Sequence, residues 1–421
     1  GRYTDFIEKQ GGIPLEDIII VGGGAAGLAA AITAAGRGCR VTVAERLDRV
    51  GKKLLSTGNG RGNLGSEHIA PGDYVTGAPE VLEALLRDMP PEKTTDFFAR
   101  LGLLFTREEG RIYPQCMQAS MLLDVLLLAL RQRDVRVECG AHIRSVRGEK
   151  GGFFLETEDG RRLEGKKLIR AAGGRAAPKL GSDGSGFSLA RSLGHTVTPL
   201  SPGLTALCCD MKHAPGLKGI RARCRVGLHN WDLCVEETEG EVQFTDYGLS
   251  GIPAMQLSNH LPRAGTGAWA EVDLFPQWNA GKMLAGLRRR REIWGEEPLE
   301  NFLLGTVHKR LAFCVLKNAG LAPLSRKCST LTDAELERLC RGLKAWRFPI
   351  TGVRGWDEAQ VTCGGVPLDE IEPATLESRK TPGLYLAGEV LDAAGTCGGY
   401  NLHWAFCTGI CAGESAGSAV R

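Results

Sequence analysis

Gly22, Gly24 and Gly27 follow directly on the apolar run Ile18-Ile19-Ile20-Val21 and lead into an alanine-rich stretch ending near Gly36. Residues of this type at this spacing can hold a pyrophosphate. Gly22 permits a tight turn, Gly24 lets the main chain approach the phosphates, and Gly27 allows a helix to pack on the strand. The free N–H groups of the helix start, at Ala25 and Ala26, and the positive end of its dipole then face the anion. A second strand, Arg40 to Ala44, ends in Glu45, roughly 20 residues past the glycines, where a ribose hydroxyl is normally bound. Strand, glycines, helix, strand and acid in that order predict a dinucleotide-binding βαβ unit.

Other stretches carry less specific chemistry. The segment Gly51 to Asn63, dense in glycine, lysine and asparagine, suits main-chain donors wrapped round an anionic or polar ligand. Lys167 to Arg170 reads as a strand ending in Ala171-Ala172-Gly173-Gly174, and Gly383 to Leu386 as one ending in Gly388-Glu389. The cluster Gly181 to Gly186 opens a helix through Leu193 but has no buried strand ahead of it, so it is not read as a second fingerprint. None of the 14 cysteines forms Cys-x-x-Cys, and several lie in apolar stretches. Reduced, partly buried thiols of a cytoplasmic protein are expected, and no metal site.

The elements that must position these residues alternate along the chain. Residues 1–16 read as a tail, a cloning remnant or a trimmed end, with no secretory signal peptide before the first strand. Helices are expected over about 79–101, broken at Pro90-Pro91, and from Met121 to Arg133, the latter apolar on most faces and so buried. Strands follow at 135–138, 142–146 and 153–157, with a hairpin near Asp159-Gly160. From about His195 short strand-like pieces separated by Pro and Gly run to Val272, and 279–346 is helical, with Thr332 to Glu335 a capping start. The predicted fold is α/β, a two-dinucleotide-fold (Rossmann-like) domain assembled from 17–194 and 347–421. A β-rich insert (195–278) and a helical subdomain (279–346) interrupt it and are expected to cover its substrate side.

At 421 residues, 43% hydrophobic and 24% charged, the chain is long enough for two or three domains with a large core. A net charge of +3 gives no reason to expect nucleic acid or an anionic membrane, and no apolar run approaches the ~18 residues of a membrane span. Arg288 to Arg291, followed by Glu292, Glu296 and Glu297, reads as a solvated helix face. Oligomeric state leaves no signal.

Together the finer motifs resemble one family, the BaiN/YhiN-type NAD(P)/FAD-dependent oxidoreductases, some of them described as aminoacetone-oxidase-family FAD-binding enzymes. The resemblance rests on Gly51-Lys52-Lys53-Leu54, Gly58-Asn59-Gly60-Arg61-Gly62-Asn63, Gly110-Arg111-Ile112-Tyr113-Pro114, Gly181 to Gly186, and Phe244-Thr245 with Gly248 to Gly251. Val361 to Val366, Gly388 to Asp392 and Gly398-Gly399-Tyr400-Asn401-Leu402 complete it, over residue 17 onward. Three positions depart from the family pattern: Gly62 for the usual Cys, His403 for Gln and Ala172 for Thr. The missing Cys puts a thiol role in that loop in doubt.

The resemblance implies bound FAD, with NADH or NADPH as transient electron donor and a small molecule as substrate. It implies cofactor contacts at Gly22, Gly24, Ala25, Ala26, Gly27, Glu45 and Arg46, then at Lys53, Leu54, Gly60, Arg61 and Asn63. Further contacts are implied at Ile143, Ala172, Gly173 and Gly174, and at Gly388, Glu389 (to a ribitol hydroxyl), Gly399, Tyr400, Asn401 and Leu402. Tyr400 is then the candidate proton donor, because saturating a carbon–carbon double bond needs a proton opposite the hydride. Arg111 and Tyr113 are the second catalytic pair, Arg111 toward a carboxylate or enolate oxygen. Asn401 is expected to reach the flavin's pyrimidine edge through its amide. His403 is expected to be structural. Three functions are compatible with this: a reductase of enones, steroid- or bile-acid-like molecules among them; an oxygen-using oxidase of small amines; and a flavin-binding regulatory or RNA-modifying protein.

Overall fold

The computed structural model describes residues 15–149, 151–231 and 233–420; of the expected tail, only Leu15 and Glu16 lie among them. The described residues divide into two compact units, one from those before residue 202 and after residue 360, the other from 202–360.

The first unit is built round the apolar run of the fingerprint. Leu15–Val21 is a strand whose consecutive Ile18, Ile19 and Ile20 have no exposed surface, so both faces of the sheet are covered at its centre. Val41–Ala44 pairs with it on one side and Arg162–Arg170 on the other, both parallel. Arg136–Glu138 extends the sheet beyond Val41–Ala44. The outer edge of Arg162–Arg170 is shared end to end. Gly152–Thr157 runs antiparallel along residues 162–165, and Leu384–Leu386 runs parallel along 168–170. Ile143–Glu149 closes that side as a hairpin partner of Gly152–Thr157, giving seven strands. The return segment therefore completes the sheet that the fingerprint began.

Two helices pack against each other on this sheet, Ala25–Ala35 and Tyr400–Val420. Their contact is made of small residues four apart. A Cβ on Gly409 would stand 2.3 Å from the Ala26 carbonyl oxygen, and one on Gly413 would stand 2.5 Å from that of Ala30. Close approach of the two backbones requires glycine at both positions.

The second unit has a core of its own, with Leu207, Phe244, Leu257, Phe302, Leu339 and Phe348 fully buried. Six strands close into a barrel in the order Leu207–Cys209, Gly248–Ser250, Leu233–Phe244, Arg221–Asn230, Trp269–Asp273 and Trp346–Val353. The pieces read from sequence as short include strands of 10 and 12 residues. Their arginines and glutamates point outward while Cys224, Val226 and Leu228 point in, so alternation was masked by charge. Helices Ala280–Ile293, Lys309–Asn318 and Asp333–Lys344 follow, and the last opens on the expected capping box of Thr332 and Glu335.

Two expectations need correcting. The leucine-rich helix, observed at Ala119–Arg131, buries one face only, and Met121 and Leu128 are more than 40% exposed. The arginine run is not simply solvated. Arg290 donates to the carbonyls of Phe302 and Leu304 beneath the Trp294 ring, and Arg291 reaches the Leu331 carbonyl at 2.8 Å and Asp333 at 2.9 Å. These arginines tie neighbouring loops to their helix.

Candidate cofactor and active site

The fingerprint glycines have three separate geometries. Gly22 sits at φ +107°, and a Cβ there would lie 2.3 Å from the Ala171 carbonyl oxygen. One on Gly27 would lie 1.8 Å from the Gly22 oxygen, so helix and turn touch through it. A Cβ on Gly24 would meet nothing within 4 Å. Open space thus lies over the start of Ala25–Ala35, where Leu28 N–H is the first to find an intrahelical acceptor, at Gly24. The strand carrying these glycines has parallel neighbours on both sides, so the site lies at the carboxyl ends of strands where the order of strands along the sheet reverses, the usual ligand crevice of such sheets.

That crevice is lined by Gly22, Glu45, Arg46, Ile143, Ala172 and Ser185, among others. Glu45 stands at the end of its strand as expected, but both oxygens already hold main chain. Oε2 accepts from Gly23 N–H at 2.7 Å and Oε1 from Leu47 N–H at 2.8 Å. Arg46 donates to the Gly181 carbonyl at 3.1 Å and pairs with Asp183 at 3.2 Å. The cluster Gly181 to Gly186, set aside on sequence, thereby becomes part of the crevice wall. Its signal was the charge pairing of Asp183 with an arginine 137 positions earlier, which no local pattern reveals.

A second group of site residues converges round Gly174. Lys53, Glu389 and Thr362 meet there, and Lys53 Nζ lies 2.9 Å from Glu389 Oε2. Thr362 was not singled out. Its hydroxyl accepts from the N–H groups of Arg175 and Ala176, fixing the loop after the glycines. Gly173 is left-handed at φ +73°, and Leu54 is buried.

The third group surrounds the start of Tyr400–Val420. Gly399 lies so close to Asn63 and Gly65 that a Cβ would stand 2.5 Å from the Asn63 Oδ1 and the Gly65 oxygen alike. Gly398 faces both Tyr400 and Arg111; a Cβ there would be 3.0 Å from the phenol ring and 3.9 Å from Arg111 Nε. Arg111 and Tyr400 therefore share one neighbourhood. Tyr74, which sequence reasoning missed, donates its hydroxyl to the Tyr400 carbonyl at 3.0 Å and sets its ring edge-on to the Tyr400 ring. Burial pushes the Tyr74 phenol well above the ordinary tyrosine value. His403 N–H is the first in this helix with an intrahelical acceptor, Gly399, so the N–H groups of Tyr400, Asn401 and Leu402 have none within it.

Several expected contacts take different form. The Asn401 amide is spent on its own loop, accepting from Gly395 N–H at 2.8 Å and donating to the Gly395 carbonyl at 2.9 Å. It is thus not free for a pyrimidine edge; only its main-chain N–H is. The Arg61 guanidinium pairs with Glu108 at 2.9 Å and lies over the Tyr113 ring, so its charge is engaged at the surface. Tyr113 is itself buried, 3% exposed, beneath Arg61, which argues for packing rather than proton transfer. Leu402 packs against the unit's core, and a Cβ on Gly60 would meet nothing. His403 is buried, with Nε2–H donating to the Met89 carbonyl at 2.8 Å and Nδ1 facing the Thr94 hydroxyl; burial lowers its pKa. It is structural.

Among the described residues the cysteines are free thiols, no His/Cys/Asp/Glu group could hold a metal, and no helix is long and apolar enough to cross a membrane.

Residues 16–415 match the HI0933-like protein Rossmann domain family. The chain belongs to that family. It is 38% identical over 404 residues, 94% of this chain and 98% of the other, to the 3-dehydro-bile acid delta(4,6)-reductase of Clostridium scindens. It is 28% identical over 393 residues to the ribosomal RNA dihydrouridine synthase of Escherichia coli, covering 93% and 95% of the two chains. A solved structure of similar fold is the 3-ketosteroid delta1-dehydrogenase of Sterolibacterium denitrificans, at TM-score 0.50 and 15% identity, covering 96% of this chain and all of that one.

Proposed function

We propose that this protein is an FAD-dependent oxidoreductase, a reductase that uses NADH or NADPH to saturate a conjugated double bond in a small enone of steroid or bile-acid type. The observation that carries this reading is the 38% identity to the bile-acid reductase across nearly the whole of both chains. Bound FAD would supply the hydride chemistry.

The residues fit such a group. The open space over Gly24 and the helix start suit a pyrophosphate, and Glu45 with Arg46 and Ile143 suits an adenosine at the strand ends. Lys53 and Glu389 suit a polyhydroxyl chain. The unpaired N–H groups at the start of Tyr400–Val420 can stabilise negative charge on an electron-rich ring.

Arg111, near Tyr400, would bind the substrate carbonyl oxygen and take up the negative charge that develops there on reduction. Tyr400 then gives its phenolic proton to the neighbouring carbon, completing the addition across the double bond. Tyr74 holds the Tyr400 main chain while this occurs. A cytoplasmic location fits 14 cysteines kept as thiols.

The E. coli relative's name suggests a second substrate of the same chemistry, since the uracil double bond that becomes dihydrouridine is also conjugated to a carbonyl. The higher identity to the bile-acid enzyme favours the small enone, with no nucleic acid as partner. Amine oxidation with oxygen is the remaining alternative. Anaerobic mixing separates the three. Protein reduced by NADH or NADPH is mixed with a 4-en-3-one or 4,6-dien-3-one steroid, with a uridine-containing RNA, and with oxygen. Rapid return of flavin absorbance with the steroid is expected; return with RNA or oxygen alone would overturn the proposed substrate class.

A further inference from the structure

We infer that Lys53 is a positioning residue for Glu389, holding that carboxylate toward the hydroxyls of a flavin's ribityl chain; the inference rests on the FAD reading above. The two residues are 336 positions apart, and their charged atoms lie 2.9 Å apart, each side chain only about a quarter exposed. Lys53 Nζ also donates to the Ala176 carbonyl at 3.2 Å. On the far side of the carboxylate, Oε1 accepts from the Thr362 N–H at 2.9 Å.

These bonds make a frame rather than a single ion pair. The Thr362 hydroxyl accepts from the N–H groups of Arg175 at 2.7 Å and Ala176 at 3.1 Å, which fixes the Ala176 carbonyl that Lys53 uses. Beneath the carboxylate is Gly174, where a Cβ would stand 2.7 Å from Oε1 and 2.3 Å from the Thr362 hydroxyl. No side chain fits there, so the carboxylate lies directly on the backbone. A carboxylate has about four lone-pair positions, and the protein fills two, one on each oxygen. The other two can accept hydroxyl hydrogens. An ammonium cannot accept, so Lys53 orients the acceptor without competing for those hydrogens.

Removing the Lys53 charge frees the carboxylate to turn and leaves it partly buried without a counter-charge. The effect must therefore pass through Glu389. Apo-protein, stripped of flavin, is titrated with FAD and followed by quenching of flavin fluorescence. Lys53→Met is expected to weaken FAD binding about 5-fold, and Lys53→Arg about 2-fold or less, the scale of a partly exposed ion pair. In a Glu389→Gln background, Lys53→Met is expected to add less than about 2-fold, because its target is gone. Lys53→Gln, which keeps a donor to Ala176, serves where Lys53→Met does not fold, as read by thermal melting of the apo-protein. An equal loss in both backgrounds, or no loss in either, overturns the role of Lys53. Failure of unmutated apo-protein to bind FAD overturns the cofactor reading itself, and this inference with it.

Discussion

The phenol of Tyr74 holds the main-chain carbonyl of Tyr400 at 3.0 Å, and the two rings meet edge to face at 6.2 Å between centroids. The candidate proton donor is thus fixed from a segment 326 residues earlier. Tyr74→Phe keeps the ring contact and deletes one hydrogen bond, so stability should fall by only about 1 kcal/mol. Substrate-driven flavin reoxidation should slow about 10-fold, since small misplacement of a reacting group is costly. A stopped-flow trace unchanged beside a lowered melting temperature would limit Tyr74 to packing.

Tyr400→Phe removes the proton itself. The protein should remain yellow and should still be reduced by nicotinamide, while reoxidation by an enone slows roughly 10²-fold or more. Stopped-flow absorbance reads both half-reactions, and an unaltered second half would limit Tyr400 to packing.

Gly24 and Gly27 should separate cofactor binding from folding. Gly24 has a negative φ of −85° and open space, so Gly24→Val should fold normally yet bind no FAD. Gly27→Ala drives a methyl into the Gly22 carbonyl and should lower thermal stability by about 1–3 kcal/mol, cofactor or not. Melting curves of apo-protein with flavin content by absorbance distinguish the two.

Gly62 stands where the resembling family has Cys. Its φ is +77°, and a Cβ would lie 2.8 Å from the Ala119 Cα. Gly62→Cys should therefore cost about 1–3 kcal/mol rather than restore any thiol chemistry. Urea unfolding measures the cost. A neutral or stabilising result would show that the loop and the start of Ala119–Arg131 can separate.

Stability should decline as pH falls below about 6.5, the ordinary histidine value. Burial holds the pKa of His403 below that value, as it does for His195, so the unfolded chain binds more protons than the folded one. Each buried histidine then contributes stability above the unfolded pKa that is lost on acidification, with a slope of up to about 1.4 kcal/mol per pH unit. Glu370, beside His195, has a lowered pKa too, but its loss begins only nearer the carboxylate range. Urea titrations at pH 7.5 and 5.5 test this, and His403→Gln should reduce the difference by His403's share.

Much of this site could be read along the chain because its parts are local. The turn at Gly22, the helix after it and Glu45 lie within one βαβ unit, and Gly27 answers to the Gly22 carbonyl five residues before it. The pairs that finish the site are not local. Arg46 with Asp183, Tyr74 with Tyr400 and Lys53 with Glu389 join segments that only the folded sheet brings together. Asn401 failed differently: its amide was expected to face a ligand, but a buried loop carbonyl and N–H claim it first.

The glycine seam between Ala25–Ala35 and Tyr400–Val420 also sets an order of assembly. The first helix leaves the ribosome early, and Gly409 and Gly413 follow nearly 400 residues later. At about 5–20 residues per second the nascent helix waits some 20–80 s for the surface it packs on. Residues 202–360 are contiguous and possess their own core, so they are complete about 50 residues before Gly413 is made. Translation thus delivers a finished insert into an unfinished host, whose candidate cofactor site lacks the start of Tyr400–Val420 until then.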